Sequence, residues 1–339
     1  MVNTSRCQRG RWTLPAFILL IHLAIPRLHS APLQRIPVIL DTDIGDDIDD
    51  TWALGLLLKC PELDLKLVVG DYGRPQYRAR LLAKLLQTLG RGDIPIGVGI
   101  EVPGVGGEES QAKWIGDYDL KSYPGKIHAD GVQALIDTIL GSKETVTLIA
   151  IGPLPNIAAA LEREPRIAER ARFVGMHGSV RVGYGGRNQA DAEWNVRASP
   201  KACQRVFLAP WDMTITPLDT CGLVTLDGER YRRFKDSKDP VCQAILANYR
   251  VWTANRKGFQ PETADQRSST LFDCVAVYLA LSQDLCQMET LGIRVTDDGF
   301  TRIDDAAKRV KAATAWTNLD TFRDWMVERL TRSAPTSTP

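Results

Sequence analysis

Short apolar runs alternate with stretches of helical periodicity along most of this chain. Residues 36–40, 65–69, 94–98, 146–151 and 172–176 are rich in Ile, Val and Leu, the pattern of strands covered on both faces. Between them, residues 51–59, 77–89, 131–140 and a segment opened by Gly152-Pro153 and closing at Leu161 repeat their apolar positions at the helical period. That order predicts an α/β fold, with a mainly parallel sheet and helices on both faces. Two Gly-rich polar loops interrupt it, residues 101–126 and the stretch after Met176 that runs to Ala192. Beyond Pro217 the texture changes to charged helical segments as far as Arg256, a polar stretch over 257–269 and an apolar helix over 270–281. A hairpin around Asp297-Asp298-Gly299, an edge strand over 308–315 and a helix over 318–330 complete the pattern. No repeat or low-complexity linker breaks it, so residues 34–332 are expected to form one domain.

The densest chemistry follows the first strand. Six of the ten residues from Asp41 to Asp50 are aspartate, and the loop they form turns at Gly45. Carboxylates this close repel one another, and a hard cation held by oxygen, calcium or magnesium, would neutralise them. The plainer alternative is a solvated acidic helix N-terminus, where Asp sits well in the field of the helix dipole. The strand directly before the loop favours a site, because ligands of open α/β sheets bind outside the carboxyl ends of strands.

The N-terminus carries Arg6, Arg9 and Arg11, then an apolar stretch over residues 14–25, then Ser30 and Ala31. Residues 1–31 therefore read as a signal peptide, which predicts a secreted or periplasmic protein with no stable membrane association after cleavage; an uncleaved anchor is the alternative. The Ser/Thr/Pro-rich tail, residues 333–339, is expected to be disordered. With 42 basic and 41 acidic residues there is no basic footprint for nucleic acid, and a small-molecule partner is expected. Six cysteines remain after Cys7; their even number permits disulfides, buried thiols are the alternative, and the absence of a Cys-x-x-Cys pair argues against zinc.

Five ordered segments carry a family resemblance: DTDIGDDIDD from Asp41, KIHADGVQAL from Lys126, VTLIAIGPLPNIAAAL from Val146, AEWN from Ala192 and LFDCVAVYLAL from Leu271. Together they resemble the inosine-uridine preferring nucleoside hydrolases. The resemblance implies an open, Rossmann-like sheet and a calcium ion beneath a ribose pocket. It makes Asp43, Asp50 and Asp273 carboxylate ligands and the carbonyl of Ile151 a backbone ligand. It makes Asp49 the general base that takes a proton from the attacking water, and gives ribose hydroxyls to Glu193 and Asn195. Asp71 falls where the family often has a ribose-binding Asn, Asn188 is a candidate for the 5′-hydroxyl, and His128 lies in a matching motif with a structural role equally open. A homodimer or homotetramer is implied as well.

Two departures matter. The acidic loop is two residues longer than the shorter family pattern, so the family Asp pair aligns with Asp49-Asp50 or with Asp46-Asp47; on the second alignment Asp47 is a ligand or stands just behind one. Phe272 replaces a His that several family members use to help the base depart, and Phe has no proton to give. His177 reads as packing rather than as that donor. Tyr184, Trp194 and Trp252 either stack on a base or pack in the fold. A binding protein with a degenerate hydrolase site is therefore the second reading. A phosphatase using Asp41 as nucleophile is the third, and it leaves AEWN and GPLPN without a role.

Overall fold

The computed structural model describes residues 1–3, 35–102 and 109–332. The chain divides into two units, Met1–Leu33 and Gln34–Pro339, and the fold below is that of the second. Apart from residues 1–3, the expected signal peptide lies outside the described residues, as does the expected disordered tail. Among the described residues no helix is long and apolar enough to cross a membrane.

Ten strands form one sheet among the described residues: β1 (Ile36–Thr42), β2 (Leu63–Gly70), β3 (Ile96–Val98), β4 (Ile127–His128), β5 (Val146–Ala150), β6 (Ala171–Met176), β7 (Met213–Thr216), β8 (Cys286–Val295), β9 (Thr301–Ile303) and β10 (Arg309–Trp316). Their order is β4-β3-β2-β1-β5-β6-β7-β10-β8-β9. Every pair from β4 to β10 is parallel, and only β8 against β10 and against β9 runs antiparallel. The expected α/β architecture is thus present. Successive side chains of β1 enter different cores, as the two-residue strand period requires. Val38 and Leu40 pack with helices Asp49–Leu58, Pro75–Thr88, Pro240–Asn255 and Leu319–Thr331, whereas Ile39 packs with helices Gly131–Gly141, Pro155–Arg163 and Pro200–Leu208.

One expectation is corrected. Residues 308–315 do not form an edge strand, because β10 lies between β7 and β8 and the edge is the three-residue β9. The pattern of β10, exposed at Arg309 and Lys311 but buried at Val310 and from Ala312 to Thr314, is half polar at one end only. The hairpin over Asp297-Asp298-Gly299 forms as expected, joining β8 to β9.

The strand order reverses between β1 and β5. Later crossovers leave β1 on opposite sides, so the ends of β1 and β5 face a crevice that no helix fills. Asp41 pairs with Ala150 across this junction, which sets Asp43 beside Ile151 and Gly152. Gly152 is required there, since a Cβ would stand 2.9 Å from the backbone nitrogen of Asp43.

Candidate active site

A cavity of about 540 Å³ opens at this junction. Asp43, Asp46, Asp47, Asp49, Asp50 and Asp273 line it, with Ile151, Glu193 and Asn195. Asp49 and Asp50 occupy the first turn of helix Asp49–Leu58, and Asp273 precedes helix Cys274–Leu279. Two helix N-termini thus meet at the carboxylates, and their dipoles offset part of the mutual repulsion. These residues are not a solvated helix cap, for Asp49, Asp50 and Asp273 are 4, 2 and 3 % exposed. Each of the three offers an oxygen within 4.8 Å of the others. Thr42 holds Asp50 in place, its hydroxyl donating to Oδ1 at 2.5 Å.

The loop that carries these acids is held from behind by Arg78, which no sequence motif marks. Arg78 is wholly buried in helix Pro75–Thr88. Its Nε donates to the carbonyl of Tyr72 at 2.6 Å, Nη1 to the carbonyls of Asp43 and Ile44, and Nη2 to Asp46 Oδ2 at 3.0 Å. The loop backbone is tied further by Trp252 Nε1 to the Asp46 carbonyl at 3.0 Å and Gln111 Nε2 to the Asp47 carbonyl at 3.1 Å. Gly45 turns at φ +118°, where a Cβ would strike the ring of Tyr77 at 2.4 Å. Trp252 therefore packs under the loop and is absent from the cavity wall.

The opposite wall is built by the AEWN segment. Glu193 caps helix Trp194–Ala198, accepting from Asn195 N at 2.7 Å, Gly178 N at 2.9 Å and Val196 N at 3.3 Å. Asn195 Nδ2 donates to the carbonyls of Ile151 at 3.2 Å and Met176 at 3.0 Å, joining the ends of β5 and β6. A carbonyl has two lone pairs, so Ile151 keeps one for a ligand. Tyr184, Trp194, Phe272, Arg197 and Arg256 form the more exposed rim.

Three expected site residues stand elsewhere. Asp71 is fully buried behind the loop, where its Oδ1 accepts from Asn156 N at 3.4 Å, and it does not line the cavity. Asn188 is exposed and outside the wall. His128 sits in the edge strand β4, three strands from β1, and also lines none of it. Asn156 of the GPLPN segment, given no role by sequence, donates to Asp41 Oδ2 at 2.9 Å and the Gly70 carbonyl at 3.2 Å and accepts from Ile100 N at 2.9 Å. The motif itself was the signal for it. His177 is buried against Phe173 and Phe207 and bonds to the Gly152 carbonyl at 3.0 Å. Burial depresses its pKa to about 3, which keeps it neutral. The six described cysteines are all buried free thiols.

Residues 38–325 match the inosine-uridine preferring nucleoside hydrolase family. The chain belongs to this family. With it comes the enzyme class, the glycosidases that cleave N-ribosyl bonds. A non-specific ribonucleoside hydrolase, RihC of Klebsiella pneumoniae subsp. pneumoniae, is 33 % identical over 228 residues, covering 64 % of this chain and 73 % of the relative. A pyrimidine-specific ribonucleoside hydrolase, RihA of Citrobacter koseri, is 31 % identical over 62 % of this chain and 69 % of its own. Among solved structures, a plant nucleoside hydrolase, PpNRh1, superposes with a TM-score of 0.73 at 23 % identity, over 89 % of this chain and all (100 %) of that one. A purine-preferring ribonucleoside hydrolase from Gardnerella vaginalis gives 0.72 at 22 %, over 87 and 98 %. These two likenesses establish the same fold.

The site of this nucleoside hydrolase is suited to a metal ion. Among the described residues Asp49, Asp50 and Asp273 are the one cluster placed to hold it, all donors are hard oxygens, and Arg78 pairs with Asp46 of the same loop from behind. Burial first, then the neighbouring carboxylates, pushes Asp49, Asp50 and Asp273 well above the usual range. Burial also lifts Asp43 and Glu193 to about 7. Acids raised in the fold contribute stability at low pH and lose it as pH climbs through the folded value. The metal-free protein is therefore expected to weaken from the ordinary aspartate value of 3.8 through about 7 and above. A cation at 100 times its Kd adds about 2.7 kcal/mol, and it binds the ionised form. Thermal melts should show a chelator-induced drop in Tm that is larger at about pH 8 than at about pH 5; a drop that shrinks with rising pH would contradict a cation at these carboxylates.

Proposed function

We propose that this chain hydrolyses the N-glycosidic bond of ribonucleosides, releasing free base and ribose, with calcium as its cation. The observation that carries this is the shared cavity: the acidic cluster, the Ile151 carbonyl and the Glu193–Asn195 wall face one space of nucleoside size. Asp43, Asp50, Asp273 and the Ile151 carbonyl would hold the ion, with Asp47 as a further candidate ligand; calcium would suit this set because it takes 6–8 oxygens in flexible geometry. When bound, the ion supplies Lewis-acid chemistry, acidifying water and orienting oxygen groups.

The remaining steps belong to side chains. Asp49 accepts a proton from the water that attacks C1′. Glu193 accepts hydrogen bonds from the ribose hydroxyls, its own geometry set by three backbone N–H groups. Asn195 has its amide committed to Ile151 and Met176, which leaves Oδ1 to accept from ribose. The buried acids around the sugar stabilise the positive charge that develops as the C–N bond breaks. One observation favours exchanging two roles: Asp49, not Asp43, groups tightly with Asp50 and Asp273. In that version Asp49 is a ligand and Asp43 takes the proton.

The test is release of ribose from inosine, uridine and p-nitrophenyl riboside, with and without chelator. Cleavage that calcium restores supports the reading. Binding of calcium and ribose without cleavage of any of the three would replace it by a ribose-binding protein. The reading extends to export by residues 1–31 and to a homodimer or homotetramer. N-terminal sequencing of exported protein and light scattering check these two points.

A further inference from the structure

Phe272 has no proton to offer, so the departing base of the proposed reaction needs a donor from elsewhere on the rim. Tyr184 opens the short 3₁₀ turn Tyr184–Gly186 and lines the cavity. Its ring meets Phe272 edge-on, with centroids 6.1 Å apart at 80°. Its backbone is fixed from both sides, N donating to Asp191 Oδ2 at 2.8 Å and the carbonyl accepting from Arg187 Nε at 3.3 Å. The phenolic oxygen accepts from Trp194 N at 2.8 Å. A phenol oxygen that accepts is polarised into a better donor, and among the described residues no acceptor takes the Tyr184 hydroxyl proton. Burial and the nearby Glu193 keep that hydroxyl protonated.

The cavity is divided in a way that says what this proton meets. The floor and far wall present carboxylates and the Asn195 amide oxygen, acceptors for sugar hydroxyls. The rim presents Tyr184, Trp194 and Phe272, flat faces for a heterocycle. Tyr184 belongs to the rim, beside Phe272. We propose that the Tyr184 hydroxyl is a catalytic residue that donates a hydrogen bond to the departing base. As the C1′–N bond breaks, its electron pair goes to the base, Tyr184 stabilises that negative charge without giving up its proton, and the proton that Asp49 took from the attacking water passes through solvent to the free base. The hydroxyl left by the attacking water stays on C1′. This rests on the nucleoside hydrolase reading of the site.

Tyr184→Phe keeps the ring against Phe272 and removes only the donor. The p-nitrophenolate group leaves without help, so its riboside reports whether the rest of the site is intact. The variant is expected to lose kcat on inosine and uridine by about 10²-fold, the usual effect of removing one donor to developing negative charge, while p-nitrophenyl riboside is cleaved within about twofold of the parent rate. An equal loss on all three substrates would assign Tyr184 to sugar binding or to holding Trp194 and overturn the proposal, as would no loss on any. Arg197→Met and Arg256→Met are controls, because both arginines also line the rim. A leaving-group-dependent loss that followed either arginine, with Tyr184→Phe unaffected, would move the donor there. Parent protein that cleaves no riboside at all would instead refute the hydrolase reading.

Discussion

Asp50→Ala and Asp273→Ala variants are expected to lose cation binding and turnover together, whereas Asp49→Ala loses turnover alone. Asp50 and Asp273 come from helices far apart in sequence and meet only here, so each supplies a charge that no neighbour replaces. A calcium titration by calorimetry should show no saturable site in either variant, and ribose release should fall below detection. Asp49→Ala, if Asp49 is the base, keeps calcium and ribose binding while kcat falls by about 10²–10⁴-fold. Asp43→Ala then weakens calcium binding. The exchanged assignment reverses this pair: calcium affinity drops in Asp49→Ala, and Asp43→Ala keeps the ion but not the rate. The two measurements together therefore name the base, which a rate alone cannot do. Asp47→Ala bears on the loop alignment. Asp47 lies outside the close trio and takes up its own neighbour, Ile48 N, at 2.7 Å, so this variant should retain most of its activity. An inactive Asp47→Ala beside a fully active Asp49→Ala would show that the family pair is Asp46-Asp47.

What sequence could and could not reveal follows from the range of each interaction. The alternation along β1, β2 and β5 was readable because a buried parallel strand is set by its own apolar residues and its neighbours. β10 was misplaced because exposed Arg309 and Lys311 alternate with buried Val310 at its start, as on an edge, and its central position depends on β7, which lies far back along the chain. The acidic loop, Asp273, Ile151 and the AEWN wall were readable as motifs, since each motif carries its own charge or cap into place. Arg78 was not. In sequence it is one of several basic residues on an amphipathic helix, and only folding shows that it turns inward to three acceptors on the acidic loop and to the Tyr72 carbonyl just before its own helix. Trp252, for which stacking on a base and packing in the fold were both open, packs, its indole N–H bound to the loop from below. Asp71, His128 and Asn188 were carried by position in a motif alone, and burial or distance keeps all three off the wall.

Arg78→Met is expected to cost about 3–5 kcal/mol of folding stability, the usual result of removing one partner from a buried ion pair. Met fills much of the same space, so cavity formation contributes little. The loss comes from the carbonyls of Tyr72, Asp43 and Ile44 and from Asp46, all left without the donors that now satisfy them. Tyr72 adds to it, because it holds φ at +55° and that conformation is strained for a residue with a side chain. Nothing but the surrounding bonds keeps it there, and the Arg78 Nε is one of them. Arg78→Lys separates charge from geometry. An ammonium restores the positive charge but cannot span four acceptors as the planar fork does. Lys should therefore recover part of the denaturation midpoint yet leave Asp43 poorly held over Gly152, with calcium affinity and kcat still reduced. Equilibrium denaturation with calcium titration on the parent and both variants reads this directly. If Lys restored affinity and rate in full, Arg78 would act only as a charge; if Met matched the parent, the loop would be held by Trp252 and Gln111 without it.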